Sequence, residues 1–257
     1  MNRSMAAVTA AAALLLTGCS SNDHATLSGS AASSTSVADP TTTARSVTTT
    51  SVRLAPSTDG FTTGRRTVSG SLENGSTWRF TVPQIDGGDS TVRHAFNNAM
   101  NDDARALTGP AAAAKITIDD ADLGEADHPR AVKATSTLSG VIIVMPYAAG
   151  AAHPTVEVDT VVVDAGSGAV LGLDSILADP AAGRQQLATL AVGADTSGRL
   201  AGSTVSAAEL NQWIALDDGL HLYVPVPHVL GDYVPVTLPW SSVMELMNPT
   251  GRVLFGP

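Results

Sequence analysis

Six histidines, one cysteine and a run of acids are the residues of this chain whose types could support chemistry. The histidines are His24, His94, His128, His153, His221 and His228. No two of them stand in a His-Glu-x-x-His arrangement, and the single cysteine cannot join them in a thiolate-imidazole zinc set. A hydrolytic relay would have to be assembled from distant positions, and His153 with Asp159 or Asp174, near Ser167 or Ser175, is the set available for it. The competing reading has His153 fastening a strand-entry loop beside Pro154. Gly166-Ser167-Gly168 lacks the Gly-x-Ser-x-Gly spacing of a nucleophile elbow. The densest acidic stretch is Asp119, Asp120, Asp122, Glu125 and Asp127, followed by His128. A calcium loop needs alternating oxygen ligands, a glycine at its sixth position and a glutamate at its twelfth. Counting from Asp120, Asp122 fits, but Glu125 falls where glycine is needed and no glutamate closes the loop. A solvated acidic loop is expected there, and no metal or cofactor.

The cysteine carries the sharper signal. Arg3 leads into an apolar run from Ala6 to Leu16, which is about as long as a signal-peptide core and too short for a permanent membrane span. Leu16-Thr17-Gly18-Cys19 then resembles a bacterial lipobox, in which the thiol is alkylated by diacylglycerol and the cysteine becomes the new N-terminus. Residues 1–18 are expected to be a lipoprotein signal peptide, with Cys19 anchored in the cytoplasmic membrane on its extracytoplasmic face. Several acyl chains on one residue meet the requirement for stable anchoring. With Cys19 acylated, no disulfide can form within the chain, so a hydrophobic core must hold the fold in an oxidising compartment.

Composition narrows the partners. The chain has 14 basic and 24 acidic residues, a net charge of −10. An acidic surface argues against nucleic acid and against a polybasic grip on anionic lipid, and it suits a basic partner. Residues 19–60 form a Ser/Thr-rich tether: 19 of the 41 residues from Ser20 to Gly60 are Ser or Thr. Such a segment buries too little apolar area to offset its ordering entropy. Residues 61–257 are long enough for one domain with its own core.

The elements that would position any site follow from periodicity. Arg66 to Leu72 and Ser76 to Val82 flank Glu73-Asn74-Gly75, a hairpin signal, with Trp78, Phe80 and Val82 alternating and Pro83 closing the strand. Asp89 or Ser90 caps a helix whose Val92, Ala95, Phe96, Ala99, Met100 and Leu107 form an apolar stripe, and Gly109-Pro110 ends it. Ala114 to Asp119, Ala131 to Leu138, Gly140 to Tyr147 and Thr155 to Asp164 read as strands, with Val141 to Val144 buried on both faces. Ala169 to Leu171 reads as a short strand and Leu173 to Leu177 as a helical turn. Asp179-Pro180 starts a helix reaching about Ala191. Ser206-Ala207-Ala208-Glu209 is a capping box for a short helix carrying Leu210 and Trp213. Ile214 to Leu216 and Leu220 to Val226 make a hairpin across Asp217-Asp218-Gly219. Val234 to Leu238 is a further strand, and Ser242 and Glu245 cap a last helix with Val243, Leu246 and Met247. The sum is an α+β fold, hairpins forming an antiparallel sheet covered by amphipathic helices.

In the second half, Gly150-Ala151-Ala152-His153-Pro154 precedes a Val-rich strand and the turn Asp164-Ala165-Gly166-Ser167-Gly168. Leu171 to Leu177, Trp213 to Val226, Val224 to Tyr233 and Val234 to Trp240 follow in order. Together these resemble the domain shared by secreted immunogenic antigens of mycobacteria and the extracellular part of the anti-sigma factor RsiV, over roughly residues 65–250. The resemblance implies an extracytoplasmic α+β module with no settled enzymatic activity. In RsiV-like members the domain resembles a lysozyme receptor on a transmembrane helix, joined to a cytoplasmic sigma-binding segment. Here a lipobox stands in place of that helix and head. Tyr147, His153, His228 and Tyr233 lie at predicted strand ends, where side chains combining apolar contact with hydrogen bonding can serve as interface anchors. The expectation is a non-enzymatic, membrane-anchored binding module for a basic protein or an envelope ligand. The alternatives are a structural envelope lipoprotein, a small-molecule carrier, or a hydrolase using His153.

Overall fold

The apolar run Val141-Ile142-Ile143-Val144 is the middle of a 12-residue strand, Thr137–Ala148, whose first eight residues are all buried. A strand with both faces covered needs a layer on each side, and the architecture supplies them. The structure, a computed structural model, describes residues 56–108 and 115–256. Cys19, the lipobox, the tether up to residue 55 and Gly109-Pro110 lie outside the described residues. The strands are β1 (Phe61–Ser71), β2 (Thr77–Gly87), β3 (Ile116–Asp120), β4 (Arg130–Ala134), β5 (Thr137–Ala148), β6 (Glu157–Asp164), β7 (Trp213–Ala215), β8 (Gly219–Pro225) and β9 (Tyr233–Pro239). The helices are α1 (Ser90–Leu107), α2 (Leu173–Ile176), α3 (Pro180–Ala194), α4 (Trp240–Val243) and α5 (Pro249–Phe255). No helix among the described residues is long and apolar enough to cross a membrane.

The fold is α+β. β1 to β6 make one sheet in which β5 carries β4 and then β3 along one edge and β6 along the other. Every pairing is antiparallel except the short β2–β3 contact. On one face, Leu138, Ile142 and Val144 of β5 meet the α1 stripe of Val92, Phe96, Met100 and Ala104. On the other, Val141 and Ile143 meet Ile214 and Tyr223 of the antiparallel sheet β7–β8–β9. The far side of that small sheet packs against α2, α3 and α5 through Leu222, Val224, Val234, Ile176, Leu187 and Leu254. The buried Ser139 hydroxyl joins the two sheets by accepting from the Ala215 amide at 3.1 Å.

Among the described residues only the Val163–Val170 bridge pairs with the outer edge of β6, and side chains at and beside the ends of the small sheet's strands take the outward amides before it. Asp232 Oδ2 accepts from Val156 N at 2.7 Å, the Tyr233 phenol bonds the Val158 amide, and Gln212 Oε1 accepts from Thr160 N at 3.0 Å. Buried backbone donors need partners, and these contacts supply them.

Several elements differ from the sequence reading. β2 does not stop at Pro83 but runs through it to Gly87. Beyond Arg79 it has a partner strand on one side only, so a residue without an N–H costs no ladder bond there. Ala131 to Leu138 is not one strand: β4 turns at Thr135-Ser136 into β5, with Ala134 opposite Thr137. That turn contains none of the Gly, Pro, Asn or Asp residues that usually mark one. Ala169 to Leu171 contributes only a bridge between Val170 and Val163. The Ser206 side chain makes no cap bond; Ala207–Glu209 is a single 3-10 turn, and Trp213 opens β7. The last helix is α5, capped by Asn248 Oδ1 accepting from Gly251 N at 2.9 Å, with Pro249 at its first turn.

The Ser136 and Thr137 hydroxyls in the tight β4–β5 turn are buried and have no hydrogen-bond partner among the described residues. Thr137→Val keeps the shape and removes the orphaned group, so it is expected to raise the urea midpoint, by up to about 1 kcal/mol of stability.

Candidate functional site

Tyr147 and His153 lie in the connection from β5 to β6, and His228 and Tyr233 in the connection from β8 to β9. The structure docks these two connections onto each other. The rings of His153 and His228 stack with centroids 3.7 Å apart and planes 7° from parallel. Asp232 holds the pair in place: one carboxylate oxygen accepts from His228 Nδ1 at 2.9 Å while the other accepts from the Val156 amide. It does so from a left-handed backbone, φ 64°, next to Gly231 at φ 98°. Val229, at the tip of this turn, is 86% exposed. Tyr147 bends back on its own loop, its hydroxyl donating to Ala151 O at 3.2 Å. Tyr233 is turned toward the β6 edge; burial, then Asp159 and Glu157, push its phenol pKa up. The face therefore presents two imidazoles and an apolar tip, while Tyr233 is spent on the sheet.

Beside it, on the α1 side of the sheet, lies a groove of about 390 Å³ lined by Leu107, Ile116, Ile118, Pro146, Glu157 and Asp159. Alternation along β6 puts Glu157 and Asp159 on the α1 face, in step with Val161 and Val163. Asp103 of α1 stands against Asp159. Burial first, and then Asp159, push the Asp103 carboxyl up to about 6. Burial and Asp159 raise Glu157, the most exposed of the three, and burial raises Asp159. None of these carboxylates is ion-paired among the described residues.

The sequence-level hydrolase set is not assembled. Ser167 donates to Asp164 at 2.7 Å, Ser175 donates to Gly172 O, and Asp174 pairs with Arg184 at 2.5 Å. His153 turns Nδ1 to its neighbour Pro154 O.

A different polar cluster is present, and the sequence reading missed it. Asp127, expected in a solvated loop, is only 6% exposed. The loop from β3 to β4 folds back under β8, where Asp127 Oδ1 receives His221 Nε2 at 2.9 Å and the Tyr223 hydroxyl at 3.2 Å. Arg130 stands 3.4 Å away. With Nε2–H donating to the carboxylate, a neutral His221 ring leaves Nδ1 to accept from the Thr237 hydroxyl, 2.8 Å distant. Burial acts to raise the Asp127 carboxyl, but His221, Arg130 and Tyr223 outweigh it and hold the pKa below the usual value. Burial chiefly, and Asp127 in addition, push the Tyr223 phenol up. The Thr237–His221–Asp127 chain has the order of a catalytic relay. Through His221 and Tyr223, Asp127 ties the acidic loop to β8 as a polar clamp, and Thr237 extends the chain to β9. The one sequence signal for it was polar His221 inside an otherwise apolar strand run.

No protein-family model matches this sequence, and no curated protein matches it. Among solved structures, the chain is similar to a DUF3298 family member from Bacteroides fragilis, with a TM-score of 0.47 and 12% identity over 77% of this chain and 97% of that one. It is also similar to a DUF3298 family protein from Pseudomonas aeruginosa, with a TM-score of 0.49 and 11% identity over 77% of this chain and 99% of that one.

Proposed function

We propose that the chain is a non-enzymatic binding module, lipid-anchored through Cys19 on the extracytoplasmic face of a bacterial membrane, that captures a basic protein or a cationic envelope ligand. The observation that carries this reading is the groove beside α1 and β6, where Glu157 and Asp159 line an apolar floor next to Asp103 and, among the described residues, no basic side chain pairs with any of the three. Like charges held this close raise one another's pKa and favour any positive group that enters. The net charge of −10 acts in the same direction at long range, on encounter rate more than on final affinity. The resemblance to RsiV-like domains, with their lysozyme-receptor character, agrees with a basic partner, and the His153–His228 face supplies a second contact surface next to the groove.

The test uses full-length protein in detergent with lysozyme as the basic probe and succinylated lysozyme as its charge-reversed control. Binding is expected for lysozyme alone, to weaken with salt, and to fall by at least about tenfold in the combined Asp103→Asn, Glu157→Gln, Asp159→Asn variant. The pH dependence has a definite sign. Asp103 holds its proton up to about 6, so the groove gains charge as pH rises through that value, and lysozyme should bind more tightly at pH 7 than at pH 5. In Asp103→Asn that step should shrink. Binding that ignores both the neutralised groove and salt would remove the reading. Intact-mass measurement of membrane-extracted protein tests the anchor: an unmodified Cys19 would exclude it.

A further inference from the structure

A second cleft, sharing no lining residue with the acidic groove, opens between the β4–β5 turn, the β7–β8 turn and the C-terminal helices. Its volume is about 450 Å³. Trp240 and Phe255 form one wall, stacked with ring centroids 4.5 Å apart and planes 12° from parallel. Phe255 is itself braced edge-on by Trp213 at 6.2 Å. The Trp240 indole N–H donates to Leu216 O at 2.9 Å, so the ring is fixed and its only donor is used. What this wall offers a ligand is aromatic surface and no hydrogen bond. Leu216 and Met244 extend the apolar lining, and Thr135, Ser136 and Ser241 add hydroxyls to it, that of Ser136 having no partner among the described residues.

Among the described residues, Asp217 is the only charged side chain lining this cleft. It sits in the two-residue turn closed by the paired backbone bonds of Leu216 and Gly219, at 2.9 and 3.4 Å. Backbone bonds hold that turn, so the Asp217 carboxylate is not needed for it. Among the described residues it makes no ion pair and no hydrogen bond. A rigid aromatic wall and an unused carboxylate lining one cleft complement one chemical class well. An organic ammonium carries an apolar, weakly hydrated shell that packs on ring faces, and a charge that the rings and the carboxylate both attract. A neutral ligand returns at most a hydrogen bond to Asp217 and no charge, and an anion would be repelled.

We propose that this cleft binds a small organic cation, with its alkylated ammonium against the face of Trp240 that Phe255 leaves uncovered and its charge balanced by Asp217. The same chemistry is presented by a free quaternary amine and by a choline lipid headgroup.

The experiment compares choline with 3,3-dimethylbutan-1-ol, which has the same shape with carbon in place of nitrogen, by calorimetry on the full-length chain in a choline-free detergent. Choline is expected to bind saturably and the neutral alcohol roughly tenfold more weakly or less. Asp217→Asn, an exposed change that leaves the turn bonds intact, should bring choline close to the level of the alcohol. Trp240→Leu should weaken choline by a similar factor, with circular dichroism confirming the fold. The neutralised-groove variant should bind choline as the parent does, which separates this cleft from the lysozyme site. Pelleting of a Cys19→Ser chain with phosphatidylcholine vesicles, lost in Asp217→Asn, would identify the headgroup as a source of the same ammonium. Equal affinity for choline and the alcohol, no saturable choline binding, or an Asp217→Asn protein that binds choline unchanged would each overturn the proposal.

Discussion

Asp127→Ala is expected to cost about 3–5 kcal/mol of unfolding free energy, the range for breaking a buried charged network by removing one member. The carboxylate receives His221 and Tyr223 and stands beside Arg130 in a setting where none of the three has another acidic partner among the described residues. Without it, a ring N–H and a phenol are left buried and unpaired, and each such group carries its own desolvation penalty. Thr237→Val, which loses only the outer link of the chain to His221, should cost about 1 kcal/mol. The pH dependence follows from the direction of the Asp127 shift. Its pKa is lowered on folding, so its stabilisation is complete above the ordinary value of 3.8 and is lost as pH falls through the lower folded value. The gap between wild type and Asp127→Asn in urea unfolding should hold from neutral pH to about pH 4 and close below it. A gap that stayed constant down to pH 2 would show that the carboxylate charge contributes nothing.

Gly219→Val is expected to cost about 3 kcal/mol, at the upper end for forcing volume into a packed site. Gly219 closes the Asp217-Asp218-Gly219 turn without the left-handed backbone that often explains a turn glycine. The structure gives another reason. Gly219 is extended and pairs with Pro239, and a Cβ there would run into the Leu238 carbonyl oxygen and lie 2.9 Å from its carbon, with Thr237 Cγ2 at 3.1 Å. A backbone carbonyl cannot swing aside as a side chain can, so β9 would have to separate from β8. Because the same turn carries Asp217, the substitution should weaken choline binding along with the melting temperature. A Gly219→Val protein melting within a degree of wild type would contradict the close approach.

The parts of the fold that were legible in the sequence are those decided by local patterns. The α1 stripe ends up against the sheet, with Asp89 capping it through bonds of 2.8 and 3.1 Å to Thr91 and Val92. Asp179-Pro180 starts α3 as its cap and first-turn proline require. The apolar run 141–144 is covered on both faces. What was not legible depends on long-range partners. Nothing within five residues of Asp127 announces that His221, 94 positions later, will cover it. The Thr135-Ser136 turn carries no Gly, Pro, Asn or Asp, and α5 was hidden because Asn248-Pro249 follows closely on a Ser/Glu pair that reads equally well as a cap. Of the proposed anchors, His153 and His228 do meet, although 75 residues separate them in the sequence, because each sits where a strand of its own sheet ends. The acidic groove drew one residue from a helix and two from a strand, a combination that periodicity places on facing surfaces but cannot bring into register.

The outer edge of β6 has a consequence for how copies of this protein behave when crowded. A bare strand edge is a template on which another chain can add, and repeated addition leads to fibres. Here the amides that would accept a newcomer already serve Asp232, Tyr233 and Gln212. Molecules concentrated side by side in a plane can therefore touch along this border without polymerising through it, and removing the Gln212 or Asp232 side chain would hand that border to the neighbouring copy.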